Sequence, residues 1–256
     1  VSHLLSELPA YAWLLLGVAA FLVGFSKTSL PGINTVLIAI FAALMPAKQS
    51  TGALLVLLIV GDIFAVWTYR RHARWRVLLR LAPAVVGGLL LGVLFLALAD
   101  DSSVRRVIGV ILLVVVAFTV WRRWFAGPAA SAATGSPGPG ARWASIGYGS
   151  LGGLTTMVAN AGGPVMSMYF LAARFPVKEF LGTAAWFFAM VNVAKLPFSV
   201  GLGLVTWGSL VLDLVLIPGV IAGALLGRWV ASRVPQRVFE VGVLVVTVAG
   251  AGWLLV

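Results

Sequence analysis

The chain contains no cysteine. That excludes disulfides, thiolate metal sites and any thiol relay for moving sulfur compounds. It has two histidines, His3 and His72, too few to build a histidine-rich metal centre. Charge is scarce as well. Asp, Glu, Lys and Arg make up 10% of the 256 residues, where a soluble domain carries about 25%. Hydrophobic residues make up 61%, and the mean hydropathy is +1.09. No soluble single-core fold hides that much apolar surface, so lipid is the solvent for most of the chain. A soluble enzyme, a secreted disulfide scaffold and a nucleic-acid-binding domain are excluded. Acid is scarcer than base: 7 acidic residues stand against 18 basic ones, for a net charge of +11. In a membrane protein such an excess gathers in cytoplasmic loops, beside anionic lipid. The expected partner of these basic residues is therefore membrane lipid, with no role for nucleic acid.

A bilayer core takes about 20 apolar residues per helix. Apolar runs occupy 11–26, 32–45, 51–69, 77–99 and 104–121, and a second set occupies 143–158, 164–173, 180–200, 209–230 and 238–256. Continuous runs predict helices, because barrel strands would alternate. The fold class is all-α and polytopic. The first two runs of each set are short and broken by Gly, Pro and Asn, and 32–45 and 164–173 suit half-helices or re-entrant segments. Run 11–26 has no basic stretch before it and no evident cleavage site, so it reads as a mature membrane segment. Residues 126–141, rich in Ala, Gly, Pro and Ser, read as a flexible linker between halves 1–125 and 142–256.

The halves resemble each other. Pro46, Lys48 and Gly52 recur 130 residues later as Pro176, Lys178 and Gly182, and Asp62 falls opposite Asn192 at the same offset. Pro83, Gly88 and Gly92 recur 135 residues later as Pro218, Gly223 and Gly227. Three such matches in order predict a duplication. Charge then sets orientation. Arg70, Arg71, Arg74, Arg76 and Arg80 crowd one loop, Arg122, Arg123 and Arg142 flank the linker, and further basic residues follow runs seven and nine. The alternate loops hold only Lys48, Arg105 and Arg106. The arginine-rich loops and the linker should be cytoplasmic. Equivalent loops of the two halves carry opposite charge patterns, so the repeats are inverted. That is a transporter architecture, with its site at the repeat interface.

Two polar breaks occupy corresponding positions. The first holds Ser26, Lys27, Thr28, Ser29, Gly32 and Asn34, and the second holds Thr155, Thr156, Asn160, Gly162 and Gly163. Each reads either as a turn at the membrane surface or as a ligand site. A helix N-terminus in a break offers free N–H groups to a small anion, and the hydroxyls would add donors. The matching positions favour a site, formed where the two breaks meet at the midplane. Lys27 and Lys195 stand inside apolar runs, where a charge is costly and marks function unless the side chain reaches the interface. Pro197 should loosen the helix near Lys195. Asp62 lies mid-run and is the candidate for proton coupling, with Asn192 its partner by symmetry. Asp213 reads as a carboxylate near a helix start, favourable for local reasons. The stripe Gly88-x3-Gly92 packs helices either within one protomer or between two in a homo-oligomer. No residue pattern calls for a metal or another cofactor.

At these residues the chain resembles the TauE/SafE family of sulfite-exporter-like membrane permeases. The resemblance rests on Gly24 to Thr28 with Pro31 and Gly32, on Thr155 to Met157 with Asn160 to Pro164, on Pro176 to Glu179 with Gly182 and Thr183, and on Asn192 with Lys195. It covers almost the whole chain. It implies export of a small sulfur-containing or organic anion, such as sulfite, sulfoacetate or another organosulfonate, across a bacterial-type inner membrane. One departure is Ile33-Asn34-Thr35, where the resemblance implies a glycine-rich stretch like Ala161 to Pro164. The sequence thus predicts a secondary transporter that works by alternating access; a passive anion channel of the same fold is the alternative. No Ser-His pair, zinc motif or pair of intramembrane acids supports an enzyme.

Overall fold

A computed structural model describes residues 9–29, 34–125, 139–173, 175–233 and 238. Nine helices carry the argument: α1 (Ala10–Thr28), α2 (Asn34–Leu44), α3 (Ala47–Tyr69), α4 (Trp75–Leu98), α5 (Asp101–Phe125), α6 (Pro139–Ala159), α7 (Gly162–Ala172), α8 (Val177–Gly201) and α9 (Trp207–Ala231). Among the described residues, five helices are long and apolar enough to cross a membrane: α1, α3 with the turn that follows it, α4, α8 and α9. The all-α polytopic class holds.

The second run of each half is a half-helix. α2 and α7 have 11 residues each, about 16 Å of rise against a hydrocarbon core of about 30 Å. The first runs are not short, contrary to the sequence reading. α1 has 19 residues and α6 has 21, because Ala, Gly and Thr at their ends continue the helix where apolar periodicity alone stops. α6 also takes in Pro139, Gly140 and Ala141, assigned above to the linker; proline is at home in a first helical turn. Pro197 does not interrupt α8, which continues to Gly201. The remainder of the linker, Gly32 and run 238–256 lie outside the described residues, Val238 apart.

Helix starts are capped from nearby. The Asp101 carboxylate accepts the backbone N–H groups of Ala47 (3.2 Å) and Lys48 (2.9 Å), so α5 caps the start of α3. Asp100 accepts from the Ser102 hydroxyl and the Ser103 N–H, and these bonds hold its carboxyl below the usual carboxylate range. Thr206 and Ser209 form a reciprocal capping box on α9.

Packing fixes the topology. Gly219 meets Gly17 and Ala20, Gly223 meets Phe21, and Gly227 meets Phe25 and Thr28, so α9 lies along α1 in the same direction. Gly149 meets Leu81 and Ala84, Gly153 meets Val85 and Leu89, and Gly92 meets Leu154 and Met157, so α6 lies along α4 in the same direction. Small residues at such contacts let backbones approach closely. The Gly88-x3-Gly92 stripe therefore packs within the chain.

α1 also runs with α3: Lys27 and Val23 flank Gly61, and the Tyr69 hydroxyl donates to the Thr28 carbonyl at 2.8 Å. α4 runs against α3, since it ends where Asp101 caps the start of α3. α4 and α6 therefore run opposite to α1. The first helix of one half is inverted relative to the first helix of the other, and each half's fourth helix packs on the other half's first.

Two faces follow. On one, Gly182 of α8 lies under Tyr69 and His72, Arg74 pairs with Glu179, and the Arg74 N–H donates to the Thr183 hydroxyl at 3.0 Å. On the other, Gly52 of α3 lies under Leu204, and Arg105 donates to the Ala42 carbonyl at 2.9 Å. The loop bearing Arg70, Arg71 and Arg74 thus meets the start of α8 on a single face, as the charge pattern required. Leu79, Leu98 and Leu214 point outward, while Ser26, Lys27, Asp62, Asn192 and Lys195 are buried. Polar inside and apolar outside is the pattern that lipid selects.

Candidate functional site

The two inner helices, α3 and α8, cross at Asp62 and Asn192. The Asn192 amide donates to Asp62 Oδ2 at 2.7 Å. These residues correspond between the halves, and corresponding groups touch only near the axis that relates the halves. The bond therefore marks the repeat interface.

On one side of it lies the end of α1. Lys27 Nζ stands 2.6 Å from Asp62 Oδ1 and 4.7 Å from the centre of the Phe188 ring. Gly61 explains how the lysine reaches: a Cβ there would stand 3.0 Å from Lys27 Cγ, so glycine leaves room for the stem. The Ser26 hydroxyl donates to Asn34 Oδ1 at 2.8 Å and ties α1 to the start of α2 across the break. Ser26, Lys27, Asn34, Asp62, Ala184, Ala185 and Phe188 line a cavity with about 250 Å³ of atom-free space, so tightly shaped that it admits little more than a water molecule.

On the other side lies the break between α6 and α7. Asn160 ends α6 in the left-handed conformation (φ 54°), which asparagine tolerates better than most residues, and its N–H returns to the Thr156 carbonyl. That turn aims its side chain at α8. Lys195 Nζ donates to Asn160 Oδ1 at 2.6 Å and to the Thr156 carbonyl, and the Asn160 amide donates to the Thr51 carbonyl at 2.9 Å. Lys195 is 1% exposed and does not reach the interface. Among the described residues no carboxylate pairs with it.

The predicted site residues therefore fall into two groups. Ser26, Lys27, Asn34, Asp62 and Asn192 form one; Thr156, Asn160 and Lys195 form the other. Among the described residues no hydrogen bond joins break to break. The link runs through the α3–α8 crossing, in place of the direct meeting expected at the midplane. Three hydroxyls do not supply free donors as expected. Thr28 donates to the Ala224 carbonyl (2.9 Å), Ser29 to Phe25 (2.8 Å) and Thr155 to Leu151 (2.7 Å). In lipid such hydroxyls turn to backbone carbonyls when no water competes. Gly162 and Gly163 open α7, and a Cβ at Gly162 would stand 2.9 Å from Thr156 Cβ, so Gly162 serves close packing. Gly32 lies outside the described residues.

Sequence reading missed Thr51 and Phe188. Thr51 acts through its backbone carbonyl, which no side-chain pattern reveals. Phe188 is one aromatic residue in an aromatic-rich run. Asp213 was misread. α9 starts at Trp207, so Asp213 falls in the second turn, beyond the reach of the helix N-terminus; it is buried, and no hydrogen bond reaches either carboxylate oxygen from the described residues.

Within the two groups, Lys27 and Asp62 cancel, and a protonated Lys195 adds one positive charge whose hydrogen-bond partners are neutral oxygens. Breaking the buried pair from one side should be costly. Lys27→Met or Asp62→Asn alone is expected to lower stability by about 3–5 kcal/mol, and the double substitution to recover most of that loss. Thermal unfolding of the four proteins in detergent measures it; strictly additive losses would mean that the two side chains do not act as a pair.

Residues 16–254 match the family described as Sulfite exporter TauE/SafE. No curated protein matches the chain, and no solved structure does. The match spans both breaks, the α3–α8 crossing and the buried residues Lys27, Asp62 and Lys195, and on that extent the chain belongs to the TauE/SafE sulfite exporter family.

Proposed function

We propose that this protein is a secondary carrier that exports a small sulfur-containing or organic anion, with sulfite, sulfoacetate and other organosulfonates as the substrate class. The family is one of membrane transporters; the substrate and the mechanism are our reading. One observation carries it. Lys195 is a fully buried lysine with no carboxylate partner among the described residues, and its charged form costs several kcal/mol there unless an anion joins it. Asn160 and the Thr156 carbonyl hold the ammonium in place and leave its charge unneutralised.

Lys27 extends the site. An anion arriving there competes with the Asp62 carboxylate for the ammonium, and Asp62, displaced, can accept a proton. Anion and proton then travel together with no net charge moved from the pair. The inverted halves supply the two outward and inward states, rocking about the α3–α8 crossing. The tight cavity beside Lys27 supports a closed carrier state in preference to an open pore. The arginine-bearing face is taken as cytoplasmic, in a bacterial-type inner membrane.

Purified protein in proteoliposomes tests this. Saturable counterflow of one sulfur anion is expected, and the same anion should raise the apparent melting temperature as any ligand of the folded state does. Unitary currents without counterflow would replace the carrier with a channel. Absence of both flux and thermal shift across sulfite, sulfonates and small carboxylates would sink the anion assignment.

A further inference from the structure

Asp213 has no part in the site described above. Its side chain is 1% exposed, and among the described residues neither oxygen has a hydrogen-bond donor. It lies on α9, which packs against α1 and α3. The charged and titratable groups of those helices are engaged elsewhere or lie apart. Lys27 and Asp62 hold each other, the Tyr69 hydroxyl donates to Thr28, Tyr11 is exposed, and Lys48 sits in the first turn of α3 where Asp101 caps the helix. None of them bonds Asp213.

Its depth is informative. Asp213 comes six residues after the start of α9, and Lys195 six residues before the end of α8. At 1.5 Å per residue both stand about 9 Å from the turn that joins the two helices. They are at one depth, below the face opposite the arginine-bearing loop, on two helices that both pack on α3. One is a buried cation without an anion, the other a buried acid without a donor, and they form no ion pair with each other among the described residues.

We infer that Asp213 is a proton-binding site of this protein, separate from the Lys27–Asp62 pair, which takes up a proton from the face opposite the arginine-bearing loop. The chemistry is a carboxylate gaining one proton and returning it: no bond other than O–H is made or broken. A bare carboxylate in an apolar interior lacks the hydrogen bonds that stabilise its charge, so the proton enters when the site closes and leaves when it opens to water. Each cycle with an anion on Lys195 then carries one proton on Asp213. This role in transport rests on the carrier reading; proton binding itself does not.

The two parts are tested separately. Infrared spectra of the protein in lipid should show a carbonyl stretch of a protonated carboxylic acid that fades as pH rises. It should vanish in Asp213→Asn and persist in Asp62→Asn. A band unaffected by Asp213→Asn, or no titrating band at all, overturns the inference whatever the flux assays give. In proteoliposomes held at zero membrane potential, each proton coupled to an anion lets a gradient of one pH unit sustain about a tenfold accumulation, so Asp213 and Asp62 together sustain about a hundredfold. Asp213→Asn should lower the accumulation about tenfold and keep anion counterflow without a gradient. Undiminished accumulation overturns the coupling role, and so does loss of counterflow together with accumulation, which would make Asp213 a structural group.

Discussion

Lys195→Met is expected to lower anion flux on the order of a hundredfold while the protein stays folded. An ammonium that meets an anion in a desolvated site contributes a charge-assisted hydrogen bond, and truncating one partner of such a pair costs about 2–5 kcal/mol, or a factor of ten for every 1.4 kcal/mol. The fold should tolerate the change. Lys195 pairs with no carboxylate among the described residues, so no counter-charge is stranded when it goes, and removing an unpaired ammonium relieves a desolvation cost. The Thr156 carbonyl also accepts the Asn160 N–H, which limits the loss. Lys195→Arg keeps the charge yet should also transport poorly, because a planar fork cannot occupy the place of a compact ammonium between Asn160 and Thr156. Initial rates of counterflow, set beside melting temperatures for the same preparations, decide it. Full flux in Lys195→Met would move the anion site away from α8.

The second large effect is structural. Gly223→Val should leave no folded protein, and Gly88→Val the same. A Cβ at Gly223 would stand 1.8 Å from the Phe21 carbonyl oxygen, and one at Gly88 2.1 Å from that of Ser150. Both obstacles are backbone atoms of a facing helix, so relief requires the helix pair to separate along its length. Ordinary overpacking costs about 1–3 kcal/mol, and parting a helix pair costs more. The neighbouring position is the control. A Cβ at Gly87 meets nothing within 4 Å, and Gly87→Ala should gain up to about 1 kcal/mol from helix propensity. Monodisperse yield and melting temperature in detergent separate the two residues. Equal behaviour of Gly87 and Gly88 would mean that the α4–α6 contact is looser than described.

These cases show what the sequence could carry. The half-helices were legible, because 14 and 10 apolar residues cannot span a bilayer. The correspondence of Asp62 and Asn192 was legible from their constant offset, and the hydrogen bond between them follows once the halves are related by an axis. The matched glycines announced a close helix contact. Their partners were not readable, since α9 meets α1 and α6 meets α4 only after the whole topology is known. The hold on Lys195 was half hidden. Asn160 is a side chain in a recognised break, but the Thr156 and Thr51 carbonyls enter the network through backbone geometry. Asp213 was misread for a boundary reason: placing the helix start at Ser209 instead of Trp207 moves the carboxylate by half a turn, from a favourable place to an unexplained one.

The parallel contact between α1 and α9 also has a consequence in time. α1 is made before α9, yet the surface that covers Gly24 and Thr28 comes from Val220 and Ala224, nearly 200 residues downstream. At about 5–20 residues per second a ribosome needs roughly ten to forty seconds to deliver it. Throughout that interval α1 must remain in the bilayer with its glycine face and Lys27 lacking their final neighbours. Asp62 arrives early enough to neutralise Lys27 during most of the wait. Early pairing with Asp62 would thus spare Lys27 the cost of a bare charge in the bilayer until the contacts from α9 are synthesised.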